Sequence, residues 1–217
     1  MKLIVQIPCF DEAATIARTI ADIPRVVDGF DAVEVLVVDD GSRDGTAGAA
    51  RAAGADHVVR HARNRGLARA FLTGIDASLR LGADVIVNTD ADNQYRAADI
   101  PRLCAPILAG EAEMVIGDRQ VATVASFGPG KRLLQRVGSW VVRQASSTEI
   151  PDTTSGFRAL SRGAAQRLFV HDEYTYTLET IIQAGADRMA VASVPIATNA
   201  PTRRSRLVRS IPSYVRR

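Results

Sequence analysis

The sequence predicts an α/β fold, a mostly parallel sheet flanked by helices. Three observations carry that expectation. Short apolar runs alternate with segments of helical spacing through the first half of the chain. The runs are continuously apolar, as strands covered on both faces by crossover helices are. Three of them end abruptly in polar clusters, Pro8 to Glu12, Asp39 to Ser42, and Asp90 to Asp92, and open parallel sheets bind ligands at such strand ends.

The elements follow in order. Leu3 to Ile7 reads as the first strand. Glu12 to Ile23 has helical spacing (Ala13, Ile16, Ala17, Ile20, Ile23) and stops before Pro24. Val33 to Val38 is a second strand, and a small-residue helix follows from Thr46 to about Ala53. His57 to Arg60 is a short third strand. Gly66 to Leu81 carries a Leu67, Phe71, Ile75, Leu79 face and reads as a helix. Val85 to Asn88 is the fourth strand, Ile100 to Leu108 a helix, and Met114 to Gly117 the fifth strand. The second half is less regular. Ser126 to Gly130 looks like a loop and Lys131 to Ser147 an amphipathic helix. Asp152 to Arg158 precedes a short strand at Ala159 to Leu160, Tyr176 to Ala184 reads as a helix, and Met189 to Val194 as a last strand.

A chain of 217 residues, 47% hydrophobic and 24% charged, can bury a substantial core as one large domain or a domain with an appendage. Cys9 and Cys104 lie in apolar sequence, which fits a reduced compartment. His57, His61 and His171 are scattered, without zinc spacing. The start runs straight into a strand pattern, so no signal peptide is expected, and no run of about 18 apolar residues is present to span a bilayer. The net charge of +3 hides a segregation. Residues 200–217 hold six arginines and no acid, leaving a body of 21 basic and 24 acidic residues. Such a basic segment suits phosphate, nucleic acid or anionic lipid.

The most informative stretch is Val85 to Gln94. Asp90 and Asp92 are spaced so that an extended backbone puts both carboxylates on one side. Two like charges that close repel unless a cation sits between them. Mg²⁺ and Mn²⁺ take hard oxygen ligands and are often shared between carboxylates and substrate phosphates. The plainer reading is a polar turn with Asp90 capping the next helix. Asp39 is likewise placed to hold a ribose or base edge, or else to shape an Asp-Gly-Ser turn. The first turn lacks Gly-x-Gly-x-x-Gly, which removes the ordinary dinucleotide reading.

Together, Pro8 to Glu12, Asp39 to Ser42, Asn64-Arg65-Gly66 and Thr89 to Gln94 resemble the successive motifs of inverting glycosyltransferase family 2, whose fold is called GT-A. Asp90-Ala91-Asp92-Asn93-Gln94, Gly117-Asp118-Arg119 and Asp152-Thr153-Thr154-Ser155-Gly156-Phe157-Arg158 are similar to the dolichyl-phosphate mannose synthase and bactoprenol glucosyltransferase branch. The resemblance implies a nucleotide site at Pro8, Phe10, Asp11, Glu12, Asp39, Asp40, Asn64, Gly66, Asp90 and Ala91. It implies Mg²⁺ or Mn²⁺ held by Asp90, Asp92 and Gln94. Asp152, Arg119 and Asp92 are the implied catalytic set, with Arg132, Arg158, Arg203, Arg204 and Arg206 meeting phosphates. Asp152 would orient the acceptor or metal shell, take a residual proton, or merely bond its own turn. Ser155 and Gly156 would shape the loop.

The implied reaction moves a sugar from a nucleotide-diphosphate donor (GDP-mannose or UDP-hexose type) to a polyprenyl or dolichyl phosphate at the cytoplasmic membrane face. A membrane surface is then a partner, nucleic acid is not, and an oligomer is compatible with the reading. Residues 1–199 would form the catalytic domain and 200–217 a basic, membrane-proximal segment. Members of that branch usually continue into membrane helices, so such helices are expected after residue 217 in a longer native protein. The alternatives are transfer to a sugar hydroxyl of a soluble or polysaccharide acceptor, a nonenzymatic nucleotide-binding module, and a nucleotidyltransferase. The last would favour a glycine-rich phosphate loop with lysine or arginine after the first strand, which this sequence lacks.

Overall fold

A computed structural model describes residues 1–120, 150–170 and 176–200. Seven strands form one sheet: β1 (Lys2–Cys9), β2 (Ala32–Asp39), β3 (His57–Arg60), β4 (Val85–Asn88), β5 (Met114–Asp118), β6 (Arg158–Ser161) and β7 (Val191–Pro195), in the order β3-β2-β1-β4-β6-β5-β7. The helices are α1 (Ile16–Asp22), α2 (Thr46–Ala52), α3 (Leu67–Arg80), α4 (Ile100–Leu108), α5 (Arg162–Arg167) and α6 (Thr177–Ala186). The first four strands are mutually parallel. β6 runs antiparallel between β4 and β5, and β7 is parallel to β5. The sheet is therefore mixed but mostly parallel, as predicted.

Side-chain alternation along the strands divides the interior into two layers. Leu3, Val5, Ile7, Val35, Val37, Val85 and Val87 pack with Ile16 and Ile20 of α1 and Leu103 of α4. Ile4, Leu36, Val38 and Ile86 face the other way, onto Phe71 and Ile75 of α3, Ala164 of α5 and Ile181 of α6. Strands buried on both faces explain why the sequence shows continuous apolar runs. Truncating one such position, Ile4→Ala, is expected to cost about 2–5 kcal/mol.

Three departures from the sequence reading have physical reasons. The first helix begins at Ile16, four residues after the expected Glu12, because Glu12 and its neighbours serve the loop above the sheet. The Glu12 N–H donates to Thr46 Oγ1 (2.9 Å), and the Asp11 N–H to Ser42 Oγ (2.9 Å). The six-residue α5 was missed. It is too short for a period to register, although Ser161 caps it by accepting from the Ala164 N–H (3.1 Å). Gln6 lies fully buried inside β1, where its Nε2 donates to Asn88 Oδ1 (2.9 Å), so two polar residues in adjacent strands satisfy one another. The loop and helix expected over residues 126–147 lie outside the described residues.

Candidate active site

The chain winds β1, β2, β3 to one side and then crosses to β4 on the other. A crevice opens at such a reversal of strand order, outside the carboxyl ends. The register places Cys9 beside Asp39 and Gln6 beside Asn88. The loops after β1, β2 and β4 therefore meet at this point, and β6 and β5 bring the 152–158 segment and Arg119 to the same edge.

Asp39 is 1% exposed. Its Oδ1 accepts from the Ser42 N–H (2.8 Å), and Arg60 Nε stands 3.2 Å from Oδ2. That approach is an ion pair by distance but is poorly aligned, so Oδ2 makes no hydrogen bond. A buried carboxylate oxygen with unused acceptor capacity at a strand end is suited to a nucleoside N–H. Asp40, by contrast, is engaged internally. Its Oδ1 takes the His61 ring (2.6 Å) and the Arg65 N–H (2.9 Å), and its Oδ2 the Gly66 N–H (2.8 Å). The other His61 nitrogen meets Thr73 Oγ1 (2.9 Å). Asp40 thus shapes the 61–66 loop that carries Asn64. Gly41 permits the arrangement. It has φ +77°, and a Cβ there would run into the backbone of Arg63 and Asn64.

Pro8 is buried at the end of β1, while Phe10, in the loop that follows, is 39% exposed. Asp11 adopts φ 53°, a conformation that Asp tolerates better than most residues, and its Oδ1 accepts from the Arg43 N–H (2.9 Å). Glu12 is buried and its carboxylate accepts from Thr15 Oγ1 (2.8 Å).

Asp90 and Asp92 are both half-buried. Burial, then the negative charge of Asp92, pushes the Asp90 carboxyl up to about 7. Two carboxylates that resist joint ionisation are the setting a divalent cation relieves. Among the described residues no three His, Cys, Asp or Glu side chains gather as a closed metal cage. A dicarboxylate that leaves the remaining positions to substrate phosphates and water fits Mg²⁺ or Mn²⁺ chemistry. Gln94 Nε2 donates to Asp92 Oδ2 (2.8 Å) and its N–H faces Oδ1 (3.2 Å), so it helps aim that carboxylate. The Ala91 carbonyl accepts from Thr19 Oγ1 of α1 (2.9 Å), which fixes the loop between the two acids.

Arg119 and Asp152 form a two-pronged pair, Nε to Oδ2 at 2.6 Å and a terminal nitrogen to Oδ1 at 2.8 Å. Thr154 Oγ1 accepts from the same guanidinium (2.8 Å). Burial alone would raise the Asp152 carboxyl, but the hydrogen bonds and charge of Arg119 hold it below the ordinary carboxylate range. Arg119 keeps 22% of its side chain exposed, and its charge is felt at Asp90. Arg158 is 1% exposed. It donates to the carbonyls of Ser155 (2.8 Å) and Thr153 (3.0 Å) and to Thr180 Oγ1 (2.6 Å). These bonds make it an internal brace of the 152–158 loop. Arg132, Arg203, Arg204 and Arg206 lie outside the described residues.

Sequence reasoning passed over His61, Tyr95 and Tyr176. Tyr95 directly follows Gln94, and its hydroxyl accepts the Gly156 N–H (2.9 Å). A lone histidine after a strand and two aromatics gave no distinguishing signal.

A switch-point crevice with a buried carboxylate, a dicarboxylate and a fixed arginine at its strand ends is the arrangement of a glycosyltransferase of the GT-A type. The pattern of glycosyl transferase family 2 matches residues 4–169, and the chain belongs to that family. It is 31% identical over 206 residues to the polyprenol monophosphomannose synthase of Mycolicibacterium smegmatis, covering 90% of this chain and 76% of that one. It is 30% identical over 165 residues to the undecaprenyl-phosphate mannosyltransferase of Micrococcus luteus, covering 73% of this chain and 66% of that one. Among solved structures it resembles glucosyl-3-phosphoglycerate synthase from Mycobacterium tuberculosis in complex with Mn²⁺, UDP-glucose and phosphoglyceric acid. The TM-score is 0.75 at 27% identity, covering 94% of this chain and 73% of that one. No helix among the described residues is long and apolar enough to cross a membrane.

Proposed function

We propose that the protein transfers a hexosyl group, with inversion, from a nucleoside-diphosphate sugar to a polyprenyl phosphate at the cytoplasmic membrane face. A phosphate oxygen of the acceptor bonds to the anomeric carbon. The bond from that carbon to the donor diphosphate breaks, and the nucleoside diphosphate leaves with the electron pair. Asp39 receives the nucleoside through its unused Oδ2, supported by the Pro8–Glu12 loop and the 61–66 loop. Asp90 and Asp92 would hold a divalent ion, which would supply charge stabilisation to the leaving nucleoside diphosphate. Arg119 adds a fixed positive charge beside them. Arg132 and the Arg203, Arg204, Arg206 segment serve the acceptor phosphate or the lipid surface.

The observation that carries the acceptor class is the two-pronged pairing of Asp152 with Arg119. A sugar hydroxyl needs a general base, and a carboxylate bonded through both oxygens to a guanidinium is a weak proton acceptor. A lipid monophosphate has a second ionisation near pH 6, by analogy with phosphorylated side chains, and is already nucleophilic at pH 7. Its difficulty is repulsion from the donor, which the divalent ion and Arg119 relieve. The relatives named for polyprenol and undecaprenyl phosphate support the same reading. The likeness to a phosphoglyceric acid complex favours a second one, transfer to a small phosphorylated acceptor.

One assay separates them. The protein is incubated with UDP-glucose or GDP-mannose, Mg²⁺ or Mn²⁺, and either a short-chain polyprenyl phosphate or 3-phosphoglycerate, and products are read by mass spectrometry and NMR of the anomeric centre. A sugar phosphodiester of the lipid, inverted at the anomeric carbon, is expected. Product only with 3-phosphoglycerate would move the assignment to the second reading.

A further inference from the structure

Gly156 lies in the loop before β6, and both of its backbone groups are held by buried side chains. Its N–H donates to the Tyr95 hydroxyl (2.9 Å), and its carbonyl accepts from Asn88 Nδ2 (2.8 Å). Asn88 Nδ2 also meets the Tyr176 hydroxyl (2.9 Å), and Asn88 Oδ1 accepts from Gln6. The two tyrosines are themselves immobilised. Tyr176 stacks on Phe71 with ring centroids 3.9 Å apart, and Tyr95 on Phe157 at 5.2 Å. The peptide of residue 156 therefore cannot retreat.

The carboxylate of Asp90 rests against that peptide. A Cβ built on Gly156 would lie 2.9 Å from Asp90 Oδ1, 3.3 Å from Oδ2 and 3.0 Å from the Tyr176 hydroxyl. Real Cβ atoms are essentially never as close as the first of these, and the tyrosine side is closed by its bond to Asn88. The backbone at 156 is not in the left-handed region, so alanine meets no conformational objection there. The obstacle is the space that the Asp90 carboxylate occupies.

We infer that Gly156 is a positioning residue whose missing side chain seats the Asp90 carboxylate, with Tyr95 and Asn88 fixing the seat. This deepens the proposed function and rests on its assignment of a divalent cation to Asp90 and Asp92. Groups that orient metal ligands from behind are typically worth roughly 10- to 100-fold in metal affinity. Gly156→Ala pushes Asp90 out of its place and weakens the cation by that order while leaving the nucleoside end, at Asp39, untouched.

The test measures Mn²⁺ binding by electron paramagnetic resonance, in the presence of UDP and separately of GDP, for the parent, Gly156→Ala, Tyr95→Phe, Asp90→Ala and Gly163→Ala. Gly163 is exposed, and a Cβ there meets nothing closer than 4.0 Å, so it controls for the exchange itself. Metal-free UDP and GDP affinities and melting temperatures are recorded alongside. Mn²⁺ binding weakened roughly 10- to 100-fold in Gly156→Ala, with unchanged metal-free nucleotide affinity and a parent-like Gly163→Ala, is the expected result. Should Gly156→Ala fail to fold, Tyr95→Phe decides. It leaves Gly156 in place but removes the acceptor of its N–H, and weakened Mn²⁺ binding in a folded Tyr95→Phe supports the seat. Parent-like Mn²⁺ binding in a folded Gly156→Ala, or in Tyr95→Phe where that variant decides, overturns the inference while the Asp90 assignment stands. Parent-like binding in Asp90→Ala overturns the metal assignment itself, and the inference with it.

Discussion

Replacing Asp152 by asparagine keeps the shape of the side chain and removes its charge, leaving Arg119 without its two-pronged partner. Asp152 is 3% exposed, and Arg119 retains 22% of its side-chain surface. Removing one partner of a buried pair typically costs 3–5 kcal/mol, and partial access of water to Arg119 argues for the lower end, about 3 kcal/mol. In a domain of this size that is a fall of roughly 6–12 °C in melting temperature. The sign of the pH dependence follows from the depressed Asp152 carboxyl. Its stabilisation is complete above the unfolded value of about 3.9 and is lost as pH falls through the lower native value. Urea unfolding from pH 8 to 3 should thus show a constant gap between parent and variant down to about pH 5, closing below about pH 4. Donor affinity and turnover should fall together, because Arg119 loses its aim. Unchanged stability and donor affinity with lost turnover would refute this reasoning, since Asp152 would then act on the acceptor and not through Arg119.

The other expectations use the same protein. Asp92→Asn should abolish metal-dependent donor binding with the fold intact, because the residue lies at a sheet edge; full turnover in excess chelator would overturn the cation assignment. Asp39→Asn should weaken nucleoside diphosphate binding by about 10- to 150-fold, the worth of a hydrogen bond to a charged group, with a smaller effect on the chemical step; calorimetric titration reads this directly. Arg158→Met leaves the Thr153 and Ser155 carbonyls without their donor and should cost about 3 kcal/mol in urea unfolding, while donor affinity per folded molecule stays near the parent value; a selective loss of phosphate binding would return Arg158 to the ligand. The triple change of Arg203, Arg204 and Arg206 to alanine should release the protein from anionic vesicles, at about 1 kcal/mol per residue, and high salt should mimic it; vesicle sedimentation reads the result.

The strands were legible because burial on both faces leaves an unambiguous apolar run; β3, β4 and α4 fall where periodicity and punctuation put them. The carboxylates at strand ends were legible because charge directly after such a run has few structural reasons. What stayed hidden was the division of labour among them. Asp39 and Asp40 are adjacent and chemically identical, yet one keeps an unused oxygen and the other clamps a loop. Arg119 and Arg158 both follow short strands or loops rich in polar residues, and only packing makes one a partner of Asp152 and the other a brace. Periodicity records which face is buried. It does not record which side chain from a distant segment arrives there, and for Asp40, Asp152 and Arg158 that arrival decides the role.

The antiparallel entry of β6 between β4 and β5 has a consequence in time. The first four strands are complete once residue 88 has been synthesised. The seat of Asp90 needs a contact between Asn88 and Gly156, 68 residues apart. A nascent chain cannot make that contact until residue 156 has been added. During synthesis the strand that ends in Asp39 is therefore present well before the segment that seats Asp90. A nascent chain that already has five of its seven strands still lacks the peptide against which the Asp90 carboxylate rests.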